Sequence, residues 1–364
     1  MTDSASADAR SARVKGFDGL RAVAALFVFI EHKVRDLGTG VIGVWVFFCL
    51  SGYLIVGILH RARAGLERSP GAGSLRRALL DFWRNRALRI LPIYYVVLFL
   101  VFAFTHVEAP RAFPYYFFYL QNFYIAFVTH GWSAISHFWS LAIEQQFYIL
   151  SAPVLLLVAC KAHARFLVLV LSACVALALL AELRSFDPMV VSLMPPTNFA
   201  FMALGGIVYL EPPGSLVRRA LARTSVLAVA TLAFSAAFLA TRAAYDPLGG
   251  TAFSVYLVGL FFAVAVVGWT AERPLSRFVG FLETAPMRWL GTISYGFYVI
   301  HPFMPSRERV ARLVAADFVH AIPLPLWIAL ELAGALALSH VSWRYFESRF
   351  LALKKKRALP QGTT

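Results

Sequence analysis

Acidic side chains are scarce in this chain: 19 Asp and Glu stand against 34 Lys and Arg, and charged residues of both signs make up only 15% of its 364 positions. So little charge, with 60% hydrophobic residues and a mean hydropathy of +0.69, excludes an ordinary soluble domain. Polar linkers of domain size are missing too, which excludes a string of soluble domains and leaves one integral membrane unit. There are three cysteines, Cys49, Cys160 and Cys174. Their spacing supports neither a disulfide framework nor a zinc site. Residues 1–15 are polar, and the first apolar segment contains Arg21 and His32 with no clear small-residue cleavage site. That pattern argues against a cleavable signal and predicts that the first segment stays in the bilayer.

Apolar spans are predicted near 17–35, 42–60, 88–107, 138–159, 164–182, 195–211, 225–241, 250–269, 287–304 and 322–343. The fold class expected is therefore all-α, a polytopic integral membrane bundle of about ten transmembrane helices. A polar tail (1–15), a transmembrane domain (16–350) and a basic tail (351–364) make up the chain. The net charge of +15 and pI near 10.1 do not point to nucleic acid, because the basic residues fall in short runs between apolar spans. Membrane topology and anionic lipid headgroups account for them.

The aromatic run FPYYFFYLQNFYIAFV at 113–128 is long enough to span. If it is interfacial or re-entrant and the N-terminus is cytoplasmic, 26 of the 34 Lys and Arg lie inside. If it spans, every later loop inverts, and Lys354, Lys355, Lys356 and Arg357 fall outside, against the positive-inside bias. The expectation is an interfacial or re-entrant segment with both termini cytoplasmic. The stretch from Arg61 to Arg86 reads as the longest cytoplasmic loop, its second half amphipathic and lying along the inner interface. No internal repeat is evident.

Ionisable residues inside such spans mark functional paths. Arg21 and His32 sit eleven residues apart on the first segment, roughly 16 Å along a helix. Depth along the predicted helices groups Arg21 with Arg86 and Arg89 near the inner face, and His32 with Glu144 and His301 toward the outer side. Each has a plainer explanation: Arg86 and Arg89 as interfacial anchors, His32 as an interfacial residue, His301 before Pro302 as a helix end. Glu144 is harder to dismiss, because a carboxylate among WSLAI and QQFYIL must be paired or solvated. Glu31 points to another face than His32 and is a poor orienter for it. The stripe Tyr94, Tyr95, Phe99 and Phe102 reads as packing.

Several segments, in order, carry a resemblance: FDGLRAVAALFVFIEH with its Arg-x10-His spacing, GVWVFFCLSGYLI at 43–55, FWRNRALRILP at 82–92, YLQNF at 119–123, HFWSLAIEQQFY at 137–148 and ISYGFYVIHPF at 293–303. With these the chain resembles the membrane-bound acyltransferase family 3, which includes O-antigen and exopolysaccharide O-acetylases and macrolide acyltransferases. The resemblance runs from residue 16 to about 350. It departs from the family at Trp45 and Gln145, where an acidic residue is frequent, and at Glu347-Ser348-Arg349 in place of Glu-x-Pro. Many relatives add a further helix and a soluble esterase-like domain, for which no counterpart is expected here.

The resemblance implies a membrane O-acyltransferase of the bacterial inner membrane. It would take acetyl or another acyl group from acyl-CoA, as donor substrate rather than resident cofactor, to a glycan or glycoside acceptor. His32 is the expected base and Glu144 its orienting partner. Arg21, Arg86 and Arg89 are expected on the donor's phosphates. Ser51, Tyr295, Tyr298 and His301 are expected to line the substrate path. Ser51 and Gly52 fit either a helix break over a cavity or close helix packing, and Ser51 could carry a covalent acyl group. Two other classes stay open at this stage: a transporter or exporter using the buried charges as a relay, and a structural subunit of a glycan-assembling machine.

Overall fold

In a computed structural model, residues 13–34, 38–68, 74–105, 109–243, 253–314 and 318–354 are described. Among them every regular element is helical, as the membrane-length apolar spans predict. The long helices are α1 (Phe17–Lys33), α2 (Thr39–Arg68), α3 (Leu75–Phe104), α4 (Trp139–Leu157), α5 (His163–Leu183), α6 (Pro195–Leu210), α7 (Thr224–Ala243), α8 (Phe253–Glu272), α9 (Ala285–Ile300) and α10 (Leu324–Ser342). Each falls on a predicted span. Among the described residues, six helical stretches are long and apolar enough to cross a membrane: Thr39–Arg68, Leu75–Phe104, Ser136–Leu157, Cys160–Leu183, Phe253–Glu272 and Leu324–Ala352. The protein is an integral membrane protein. Helices α1, α6 and α9 are shorter, at 17, 16 and 16 residues, and α1 carries Asp18, Arg21, Glu31 and Lys33.

Helix α2 is the hub, packed by α1, α4, α6 and α8. Its closest neighbour is α6, and the reason is two glycines. A Cβ on Gly52 would lie 1.9 Å from the Met202 carbonyl oxygen, and one on Gly205 equally close to that of Cys49. Backbones in such contact gain dispersion and leave no room for a side chain. Helix α2 is continuous through Ser51 and Gly52, so close packing is the correct reading there and the helix break is not formed.

The expected loop from Arg61 to Arg86 is mostly helix: α2 runs to Arg68, and α3 starts at Leu75, capped by Ser74 Oγ accepting from the Arg77 N–H at 3.1 Å. The amphipathic segment and the span behind it form one 30-residue helix that passes through Pro92. The Gly-Pro-rich residues 69–73 lie outside the described residues.

The aromatic run does not span. It folds as short pieces, Phe113–Phe117, Gln121–Tyr124 and a π turn at Ile125–Thr129, separated by Tyr119 at φ 56°. Tyr94 and Tyr95 hydroxyls hold it by donating to the carbonyls of Tyr116 (2.7 Å) and Phe117 (2.9 Å). The tyrosines read as simple packing are therefore also the hydrogen-bonded anchor of this segment.

Both described ends of the chain lie at one end of the bundle, close to Arg21. Arg13 bridges Asp18 and Glu283, and Arg84 donates to the Leu353 carbonyl at 2.9 Å. Lys355, Lys356 and Arg357 lie outside the described residues.

Candidate active site

Helical spacing brings the arginine-level residues to one place. Arg86 and Arg89 are one turn apart on α3, Ser140, Glu144 and Tyr148 recur every fourth residue on α4, and Ser294, Tyr295 and Tyr298 share a face of α9. With Arg21 from α1 and Ser51 from α2 they line a single cavity. Ser51 Oγ donates to Glu144 Oε1 at 2.5 Å, and Arg21, Arg86 and Arg89 are all within electrostatic reach of that carboxylate. Arg21 also donates to Asp18 at 3.1 Å. Arg89 acts on Glu347, a buried carboxylate that accepts from Ser342 Oγ at 2.9 Å and lies against Gly296. Three guanidiniums thus face three carboxylates, as charges sheltered from water require.

Lys354 adds a cation within electrostatic reach of Arg86 and Arg89. It lies beyond the last spanning helix, and burial together with the Arg86 and Arg89 charges pushes its ammonium down to about 8.

A second constellation sits at the other end of α1. His32 Nδ1 is 2.8 Å from His301 Nε2, and the Nδ1 of His301 is 3.0 Å from the Phe297 carbonyl. That carbonyl can only accept, so His301 carries its proton on Nδ1 and presents a lone pair on Nε2. Neutral His32 must then donate from Nδ1, which leaves its Nε2 unprotonated. His32 is exposed, whereas His301 is fully buried. The arrangement orients the His32 imidazole, with a histidine and a carbonyl in the place where a carboxylate is common.

The structure therefore brings His32 to His301, as expected, and separates both from Glu144. The expected His32–Glu144 pair is not formed. Glu144 is deeper along α4, in the arginine cavity with Ser51 as its partner. At the histidine level the same segment presents His137, seven residues earlier, its ring centroid 6.1 Å from that of His32 and 5.8 Å from that of His301. His137 was not singled out in the sequence. The signal was its distance from Glu144, two helical turns on one face. Glu347 and Lys354 were likewise missed as partners of the arginines, because both come from the far end of the chain.

Between the two levels lies an uncharged layer. The Tyr298 hydroxyl is 2.6 Å from Ser140 Oγ and donates to the His137 carbonyl at 2.7 Å, while Tyr295 donates to the Ile90 carbonyl at 2.9 Å. Glu31, as expected, does not orient His32. It accepts from the backbone N–H groups of Gly38 (3.0 Å) and Thr39 (2.8 Å) and so caps α2. Trp45, one of the departures from the family pattern, faces away from this cavity: it stacks on Phe201 at 4.9 Å and fills the space above Gly259.

The site joins a cluster of three guanidiniums to an oriented imidazole. Peptidoglycan O-acetyltransferase OatA from Listeria monocytogenes serovar 1/2a is 29% identical to this chain over 368 residues, and O-acetyltransferase OatA from Staphylococcus aureus strain NCTC 8325 is 26% identical over 356. Each alignment covers 92% of this chain but only 55% and 56% of the relative, so the chain spans about half the length of these curated relatives. No solved structure matches. The family model described as an acyltransferase domain matches residues 14–343, and with nearly the whole chain inside that match, the protein belongs to this acyltransferase family.

Proposed function

We propose that this chain is a membrane O-acyltransferase that moves an acetyl or similar acyl group from acyl-CoA at the arginine end to a hydroxyl of a cell-envelope glycan at the histidine end. One observation carries the reading: a single helix, α1, bears Arg21 in a cavity with two further guanidiniums and, roughly 16 Å further along, His32 with its Nε2 lone pair turned outward. Guanidiniums suit the phosphates of the donor. A pantetheine arm is of the length that separates the two levels.

In the reaction His32 Nε2 takes the proton of the acceptor hydroxyl while its oxygen attacks the thioester carbonyl. The tetrahedral intermediate expels the thiolate of coenzyme A, which receives that proton. His301 holds His32 in the reactive tautomer and accepts a hydrogen bond from the imidazolium. Glu144, Asp18 and Glu347 act as counter-ions to the arginines, and Ser51 positions Glu144. Tyr295 and Tyr298 line the path of the arm. A glycan acceptor is favoured by the relatives, one of which is named for peptidoglycan.

The same reading puts the arginine end and both termini in the cytoplasm, with ten helices in the bacterial plasma membrane. Reconstituted protein supplied with labelled acetyl-CoA on the arginine side and a peptidoglycan-type oligosaccharide on the other should yield acetylated glycan. Translocated but unmodified glycan as the only product would replace the enzyme with a transporter.

A further inference from the structure

Away from this site, α2 and the turn between α4 and α5 bring together three side chains that acyl transfer does not use. His60 lies on α2, two turns beyond Ser51. Cys160 and His163 come from the 3-10 turn and the first residue of α5. The Nδ1 atoms of His60 and His163 are 3.0 Å apart, and one ligand atom from each of the three residues lies within 4.8 Å of the others. Cys160 Sγ is 3.6 Å from the carbonyl of His60 itself.

The outer ring nitrogen of His163 decides what the inner one can do. His163 Nε2 is 3.0 Å from the Val158 carbonyl, which can only accept, so the proton resides on Nε2 and the Nδ1 lone pair points at His60. A second ring nitrogen bonded to a backbone carbonyl is how proteins orient metal-ligating histidines. Two imidazole nitrogens and a thiol form a borderline-soft donor set suited to zinc. With Zn–N bonds of about 2.0–2.1 Å, two nitrogens on a tetrahedral ion sit roughly 3.4 Å apart, so the rings need to part by only a few tenths of an ångström. His163 is buried, while His60 and Cys160 are partly exposed, which gives an ion a way in.

We propose that His60, Cys160 and His163 bind a divalent cation of the zinc class, with a fourth position open to water. Binding releases the Cys160 thiol proton to solvent and moves the His60 proton from Nδ1 to Nε2. Spacing in the sequence hid the site, because one ligand lies a hundred residues from the others. An ion there ties α2, which bears Ser51, to the turn that follows α4 and to the start of α5.

The test uses the full chain in detergent, stripped with a chelator and titrated with cobalt(II) or zinc(II). Cobalt should produce a thiolate-to-metal charge-transfer band that saturates at one equivalent, is displaced by zinc, and is absent in Cys160→Ser and His163→Ala. No such band in wild type, or a band that survives Cys160→Ser, overturns the proposal. A measurement on wild type alone guards against misfolded variants: maleimide addition at Cys160, read by peptide mass spectrometry, should slow at least tenfold with zinc and recover with chelator. Equal rates with and without zinc overturn the proposal as well.

Discussion

His32 and His301 are joined through Nδ1 and Nε2 at 2.8 Å with their rings within 8° of parallel, and this bond fixes which nitrogen of His32 carries the proton and which presents the lone pair. His32→Ala should lower kcat by about 10²–10⁴-fold, the usual contribution of a positioned base, with the protein still inserted and folded. His301→Phe keeps the stacked shape and removes the acceptor, so it should lower kcat and move the pH at which the rate falls off. Glu144→Gln should leave that pH where it is, because Glu144 does not touch His32. A pH–rate profile that moves in Glu144→Gln and stays in His301→Phe would reverse the assignment.

Arg86→Ala and Arg89→Ala should act on the donor. A hydrogen bond to a charged group contributes about 1.5–3 kcal/mol, so each substitution is expected to raise the KM for acyl-CoA on the order of 10- to 100-fold, with the acceptor KM little changed. Calorimetric titration with a non-transferable donor analogue measures this directly. Unchanged analogue binding in the double variant would remove the arginines from the donor site.

Lys354 gives a pH dependence whose sign can be worked out. Its pKa of about 8 lies below the ordinary 10.5, so the folded chain loses this proton before the unfolded chain does. Between pH 8 and 10.5 the unfolded state binds more protons, and folding stability contributed by this group rises with pH. On the proposed reading, with donor phosphates at Arg86 and Arg89, donor affinity should move the opposite way, because the neighbouring Lys354 ammonium is discharged above pH 8. Acyl-CoA KM should therefore climb from pH 7 to pH 9 in wild type and stay flatter in Lys354→Gln, as initial rates at several pH values will read.

Gly52→Val should separate α2 from α6. A Cβ 1.9 Å from the Met202 carbonyl oxygen cannot be absorbed by a rotamer change. Overpacking of this kind costs about 1–3 kcal/mol or more. Thermal unfolding in detergent should show a lower midpoint, while Gly280→Ala, where nothing lies within 4 Å, should leave it unchanged.

Much of this was legible in the sequence because it is written in local spacing. The apolar spans fell where the helices are, and the non-spanning character of 113–128 followed from charge counting. Arg86 and Arg89 met Arg21 because depth along a helix can be estimated from rise per residue. Glu144 is not paired with His32 because two turns along α4 separate it from the histidine level, and depth estimated from rise alone groups side chains no more finely than that; Ser51 is its partner instead. The seam of α2 and α6 depends on glycines that are far apart in sequence, so Gly52 alone left two readings open. Glu347 and Cys160 acquire their partners only through tertiary contacts between distant helices.

The hydroxyl layer of Tyr298 and Ser140 bears on the energetics of the cell. A protein that keeps cations at one end of a bundle and imidazoles at the other resembles a proton wire, and a wire across an energised membrane would drain it. The hydroxyls of Tyr298 and Ser140, bonded to each other and to the His137 carbonyl, add no charged group between the two levels, so a charge crossing there meets no counter-ion. On the proposed reading the donor's arm that crosses this layer is neutral, so acyl transfer would move no net charge across the membrane.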